Sequence, residues 1–213
     1  DWGTTSSLYR INPGARTATL IGSTGETRMI GLVVDTTSTI YAISEERPAS
    51  RLWTLNPTTG AATLVGSLGF NLQEGDMTIN PADGKMYVAD GAGDKLYTVD
   101  KTTGAPTLVG PFGAVGRDVS GLQFIGSTLY GVALHEPGLA ELITVDPVTG
   151  AGTLVGSTGV SCGVIAAMGR DPVTGITYLG CPLTSFGSDN ELYSLNLATG
   201  AATDLGALTG VTF

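Results

Sequence analysis

Apolar and polar positions alternate with a period of two along most of the chain, in short runs broken by turn-forming residues. Leu52-Trp53-Thr54-Leu55 has the pattern of a half-buried strand, and Ala61-Ala62-Thr63-Leu64-Val65 that of a returning one. Between them, Asn56-Pro57-Thr58-Thr59-Gly60 is turn chemistry. Proline presets φ at the first central position, and glycine supplies the positive φ that a bulged turn needs. The residue opening the turn (Asn12, Asn56, Asp100, Asp146 or Asn196) can accept a bond from the backbone two residues on, so this row of side chains is read as structural.

The frame repeats. It begins at Leu8, Leu52, Leu96, Leu142 and Leu192, with separations of 44, 44, 46 and 50 residues. A second hairpin lies between successive copies: Gly31 to Asp35 turns into Thr39 to Ile43, Asp76 to Asn80 into Lys85 to Val88, Leu122 to Ile125 into Thr128 to Val132, and Ala166 to Gly169 into Ile176 to Leu179. Each period therefore holds four antiparallel strands, the content and length of a propeller blade. The expected fold is an all-β, five-bladed β-propeller forming one domain over 1–213. Its last blade is expected to be closed by both termini, with Trp2 in the place of Tyr41, Tyr87, Tyr130 and Tyr178, and Gly210-Val211-Thr212-Phe213 as the innermost strand. Pairing those edges within one molecule gives a monomer; the same fit between molecules gives a strand-exchanged oligomer.

The Leu-Tyr-x-x-Asn/Asp-Pro-x-Thr-Gly-Ala-x-Thr-Leu-Val-Gly frame resembles the repeat of secreted bacterial β-propellers grouped as domains of unknown function, distant relatives of the quinoprotein-like repeat propellers. The resemblance covers essentially the whole chain and rests on strands and turns. It implies the architecture and is silent on activity, because propellers carry lectins, glycosidases, lyases and scaffolds alike.

Charge narrows the range of partners. Ten basic residues stand against nineteen acidic ones, for a net charge of −9, and the cations are scattered singly. A phosphate-tracking stripe needs clustered cations, so neither nucleic acid nor an anionic membrane surface is an expected partner. The longest apolar runs are far below the roughly 18 residues needed for a spanning helix, so no membrane insertion is expected. In a four-stranded meander, the loops between second and third strands and the inter-blade connectors emerge on one face, and these are the segments that vary in length. They hold twelve acids and five bases, so about seven of the nine net negative charges fall on that face. Binding residues concentrate on loops held by a rigid scaffold. The expected function is accordingly binding of a ligand or partner, glycan or protein, on the acidic long-loop face, with Glu45, Glu46, Arg47, Arg117, His135 and Glu136 as ligand-binding candidates.

Glu74, Asp76 and Asp118 lie near the starts of inner strands and could face the channel as the paired carboxylates of a glycoside hydrolase, though two tryptophans and seven tyrosines offer few sugar platforms. Asp90-Gly91-Ala92-Gly93-Asp94 is a tight acidic loop in which Asp90 and Asp94 are candidate Ca²⁺ ligands, without the spacing of an EF-hand. No cofactor is otherwise required. His135 is the only histidine and no phosphate-cradling loop occurs, so a non-enzymatic role is favoured over an enzymatic one. Cys162 and Cys181 flank one inner hairpin, where antiparallel pairing brings them together as an expected disulfide; such a bridge places the protein outside the reducing cytosol, as a secreted or periplasmic protein. A structural subunit assembling through its terminal strands is the remaining alternative.

Overall fold

The structure, a computed structural model, describes residues 5–115, 117–135, 139–162, 166–182 and 190–210. These form strands and turns with no helix. In chain order the strands are β1 (Thr5–Asn12), β2 (Thr17–Thr27), β3 (Met29–Val34), β4 (Ile40–Ser44), β5 (Arg51–Leu55), β6 (Ala62–Ser67), β7 (Met77–Ile79), β8 (Met86–Asp90) and β9 (Lys95–Val99). They continue with β10 (Pro106–Pro111), β11 (Val119–Ile125), β12 (Thr128–His135), β13 (Leu139–Val145), β14 (Gly152–Ser161), β15 (Ala167–Arg170), β16 (Thr177–Pro182), β17 (Asn190–Leu195) and β18 (Ala202–Ala207).

Four meanders, β3–β6, β7–β10, β11–β14 and β15–β18, are four-stranded antiparallel sheets in a propeller arrangement, and β1–β2 is a two-stranded sheet. The turns follow the sequence chemistry. Asn56 Oδ1 accepts from the amides of Thr58 (2.9 Å) and Thr59 (3.1 Å), and Asp100 Oδ1 takes the corresponding bonds from Thr102 and Thr103. Hydrogen bonds from Thr102 hold the Asp100 carboxyl down to about 2.

The core lies in the seams between sheets. Ile43 and Leu52 of one sheet pack with Met77, Ile79, Met86 and Val88 of the next, supported by Val33 and Tyr41. Tyr87 meets Phe124 of the following sheet edge-on, with ring centroids 5.3 Å apart. Val132 and Leu142 pack with Met168 and Leu179 in the third seam. Leu8 of β1 packs on Ala42 and Leu55, which seats the two-stranded sheet against β4 and β5.

Glycine fixes the spacing of neighbours. Gly22, Gly66, Gly110 and Gly156, in the outer strands, each lie against the turn of the next sheet at Gly60, Gly104, Gly150 and Gly200. A β-carbon on any of the first four would overlap a backbone carbonyl oxygen of that turn. The junction from β18 back to β1–β2 has the same place in the repeat with different residues. Gly206 lies beside Arg16, which takes the turn-glycine position with φ 54° and donates from Nη1 to the Leu205 carbonyl. Thr209 donates to the Arg16 carbonyl (2.9 Å) and accepts from the Ala18 amide (2.8 Å).

The residues expected to complete the two-stranded sheet, 1–4 and 211–213, lie outside the described residues.

Cys162 and Cys181 form the expected disulfide, with Cα atoms 5.1 Å apart. The bridge closes a loop of 19 residues in sequence, so its removal should cost about 3 kcal/mol through the entropy regained by the unfolded chain. The Cys162→Ala/Cys181→Ala protein is expected to melt roughly 6–12 °C below the oxidised wild type. Differential scanning calorimetry checks this, and coincident melting curves would assign the bridge no stabilising role.

Candidate functional site

Inner strands β3, β7 and β11 are each entered through a residue with left-handed backbone: Arg28 (φ 57°), Glu74 (φ 52°) and Asp118 (φ 46°). Side-chain-bearing residues seldom adopt this conformation, and its repetition at one place in successive sheets fixes how three long side chains leave the connectors. Arg28 forms an ion pair with Glu45, which follows β4. Glu74 is half-buried, and its carboxyl is raised first by burial and then by the charges of Asp118 and Glu45. Glu45, Glu74 and Asp118 therefore converge, with Arg28 as the cation among them. Arg28 was not singled out as a site residue by sequence reasoning; the readable signal is its alignment with Glu74 and Asp118 just before an inner strand.

The neighbouring candidates surround this group. Glu46 accepts from Ser44 Oγ (2.7 Å) and pairs with Arg51 (3.1 Å). Ser44 Oγ in turn accepts from the buried Trp53 indole (2.8 Å), so the loop after β4 is braced from the core. Arg47 and Arg117 are exposed. His135 ends β12 opposite Leu139, with its side chain outside the described part, and Glu136 lies outside the described residues altogether.

Asp90 and Asp94, the calcium candidates, direct oxygens at backbone amides. Asp90 accepts from Gly93 (3.3 Å) and from Gln73, and its carboxyl is raised chiefly by burial. Asp94 Oδ1 accepts from the amide of Asp118 (3.0 Å), which ties this loop to the next connector. Among the described residues, no group of three or more His, Cys, Asp or Glu side chains is arranged to hold a metal ion.

Asp76 sits deeper. Its Oδ1 accepts from the amide of Met77 (2.8 Å), its Oδ2 from that of Leu122 (2.9 Å), and the Leu32 amide also donates to it. Leu32, Met77 and Leu122 occupy one register position in three successive inner strands, so a single carboxylate gathers the same amide from three sheets. At its own level the neighbours are Gly31 and Gly121, and a β-carbon on Gly31 would meet Asp76 Oδ1 at 3.3 Å. Burial pushes the Asp76 carboxyl up to about 8 against the pull of the amides. Thr78 Oγ1, which accepts from Phe124 (3.1 Å), and Ser120 Oγ, which accepts from Ala166 (2.9 Å), continue this lacing between inner strands. Sequence reasoning missed both; the signal is a polar side chain at an otherwise apolar inner-strand position.

No family model matches the chain, and nothing among the curated proteins does. Solved structures do match. A nidogen/laminin complex aligns over 96 % of this chain and 90 % of its own, with 11 % identity and a TM-score of 0.61. A Bacteroides thetaiotaomicron protein of unknown function aligns over 87 % of this chain at 17 % identity and TM-score 0.62. An auxiliary nutrient binding protein from the same organism aligns over 87 % at 12 % identity and TM-score 0.57. The alignments span 45 % and 43 % of those two Bacteroides chains. At such identities the likeness is one of fold, and these neighbours are β-propeller-like.

Proposed function

We propose that the chain is a secreted, non-enzymatic binding module that takes its ligand or partner at the mouth of the propeller, on Glu45, Glu74 and Asp118 with Arg28 and the flanking Glu46, Arg47 and Arg117. The carrying observation is that the carboxylates of Glu45, Glu74 and Asp118, from three successive sheets, converge, with Glu74 and Asp118 on left-handed backbone and the Glu74 carboxyl raised first by burial and then by its two acidic neighbours. Strain held at such positions is retained where it positions functional groups. A polyhydroxylated ligand such as a glycan, donating hydroxyls to the carboxylates and accepting from Arg28, suits this donor and acceptor set; a calcium ion bridging glycan and carboxylates is the metal-dependent form of the same reading. The binding-protein neighbour and the laminin complex are compatible with a module of this kind. The disulfide supports a secreted or periplasmic setting. The reading also takes β1–β2 as the outer half of a fifth blade, supported by the Gly206–Arg16 junction.

Glycan-array binding of the wild-type chain, with calcium and with chelator, is compared with Glu45→Gln/Glu74→Gln/Asp118→Asn. The expected result is at least a tenfold loss of affinity in a variant that keeps its fold. An empty array and an empty calcium titration for the folded wild type would remove the reading. Glu74, its carboxyl raised by burial and by the neighbouring Asp118, favours one second reading, glycoside hydrolysis; it requires turnover that Glu74→Gln abolishes.

A further inference from the structure

Cross-strand pairs near the turn of the inner hairpin are apolar in three sheets: Val34 opposite Ile40, Ile79 opposite Met86, and Phe124 opposite Leu129. In β15–β16 the pair at this place is Arg170 and Thr177. Both members change together, and a charged residue where the repeat is otherwise apolar departs from what packing alone asks for. Thr177 is only 2 % exposed, and its Oγ1 accepts from Arg170 Nη1 at 3.2 Å. Having accepted from the arginine, the hydroxyl keeps its own proton to donate. Arg170 itself is exposed, and among the described residues it forms no ion pair. The adjacent acid, Asp171, directs its oxygens at its own turn, accepting from the Val173 amide (2.8 Å) and from Thr174 Oγ1 (2.6 Å). Arg170 and Thr177 line a cleft of about 490 Å³, within the size range of small-molecule sites. Ser194 and Thr203 add hydroxyls to it, and Ile176 and Leu197 add an apolar wall.

We propose that this cleft is a second binding site, for a small ligand that carries a carboxylate. Arg170 holds the carboxylate, Thr177 donates to one of its oxygens, and the body of the ligand lies on Ile176 and Leu197. A guanidinium presents parallel donors that match the two oxygens of a carboxylate, which a hydroxyl cluster alone does not. The chain's net charge of −9 repels any anion at long range, so uptake depends on this local match. The cleft lies at the end of the sheet that carries the Asp171–Gly175 and Asn196–Gly200 turns, opposite the acidic loops. It is therefore independent of the binding proposed at the mouth. A sugar acid and a peptide C-terminus both present the required group.

The probes are D-glucuronate and N-acetylleucine, titrated into the intact 213-residue chain and followed by proton–nitrogen correlation NMR, with D-glucose and N-acetylleucine amide as uncharged counterparts. The expected result is saturable shifts of the Arg170 side-chain Nε–H and the Thr177 amide, with a dissociation constant of about 1 mM or below for at least one acid. The uncharged counterpart of that acid is expected to bind at least about tenfold more weakly. Arg170→Gln falls on an exposed position, so the variant is expected to fold and to weaken the acid by about tenfold or more. Arg170→Lys keeps the charge without the forked geometry and is expected to fall between the two. Binding of glucuronate alone assigns the site to sugar acids, and binding of N-acetylleucine alone assigns it to peptide C-termini. Shifts with neither acid overturn the proposal, as do shifts that the uncharged counterparts or Arg170→Gln reproduce in full.

Discussion

Asp76→Ala is expected to lower the melting temperature by about 10 °C, the largest effect of any single side-chain truncation near the channel. The alanine leaves the amides of Leu32, Met77 and Leu122 without their acceptor, in a position where Gly31 and Gly121 offer nothing in its place. An orphaned buried donor costs about 1–3 kcal/mol, and removing a desolvated carboxyl offsets part of the total. A net loss of roughly 3 kcal/mol corresponds to the stated shift for a chain of this size. Calorimetry decides: a change within about 2 °C would mean that water replaces the carboxylate at no cost.

The same group predicts the sign of the pH dependence. Its carboxyl stands at about 8 in the folded chain and at the ordinary 3.8 when unfolded. Between those values the unfolded chain releases a proton that the folded chain retains, so this group's contribution to stability falls as pH rises from about 4 to about 8. Glu74 and Asp90, also raised, add to the fall. Asp35, Asp100, Asp146 and Asp171, held low by turn hydrogen bonds, act in the opposite sense: their contribution is present above about 4 and is lost as pH drops below it. Melting temperature is therefore expected to peak on the acidic side of neutrality and to decline toward pH 8, with a shallower decline in Asp76→Asn. Parallel curves for the two proteins would remove Asp76 as the source.

Strands and turns were legible because each is specified locally. Asn56-Pro57-Thr58-Thr59-Gly60 names its own turn, and the alternation of Leu52 to Leu55 names its own buried face. The cysteine pair was legible for the same reason, since a hairpin brings its own ends together. Asp76 was legible as a carboxylate near the start of an inner strand, but not as the acceptor for three amides. That role depends on Leu32 and Leu122, which lie 44 and 46 residues away, and on glycines that leave it room. Arg16 hid in the same way. Aligned with Gly60, it breaks the turn pattern, and only its approach to Leu205 and Gly206 gives the substitution a place in a junction.

Gly66→Ala and Gly69→Ala, three residues apart, are expected to differ severalfold in cost. Gly69 has φ 75° and nothing within 4 Å of the place a β-carbon would take, so alanine pays for left-handed backbone alone, about 1–2 kcal/mol. Gly66 has no such conformational demand, yet its added β-carbon would overlap the Thr103 carbonyl oxygen in the turn of the next sheet. That neighbour is backbone and cannot swing aside. Relief requires β6 and the Asp100–Gly104 turn to separate, which opens the seam where Val65 packs on the cluster that includes Met86, Val88 and Val99 of the next sheet. Overpacking that moves backbone costs about 3 kcal/mol or more, so Gly66→Ala should melt about 10 °C below wild type and Gly69→Ala only a few degrees below it. Because the same contact recurs at Gly22, Gly110 and Gly156, alanine at each should reproduce the larger loss. Calorimetry on the set tests the junction as a unit of the architecture. Equal, small losses at Gly66 and Gly69 would show that the sheets are spaced by something other than this backbone contact.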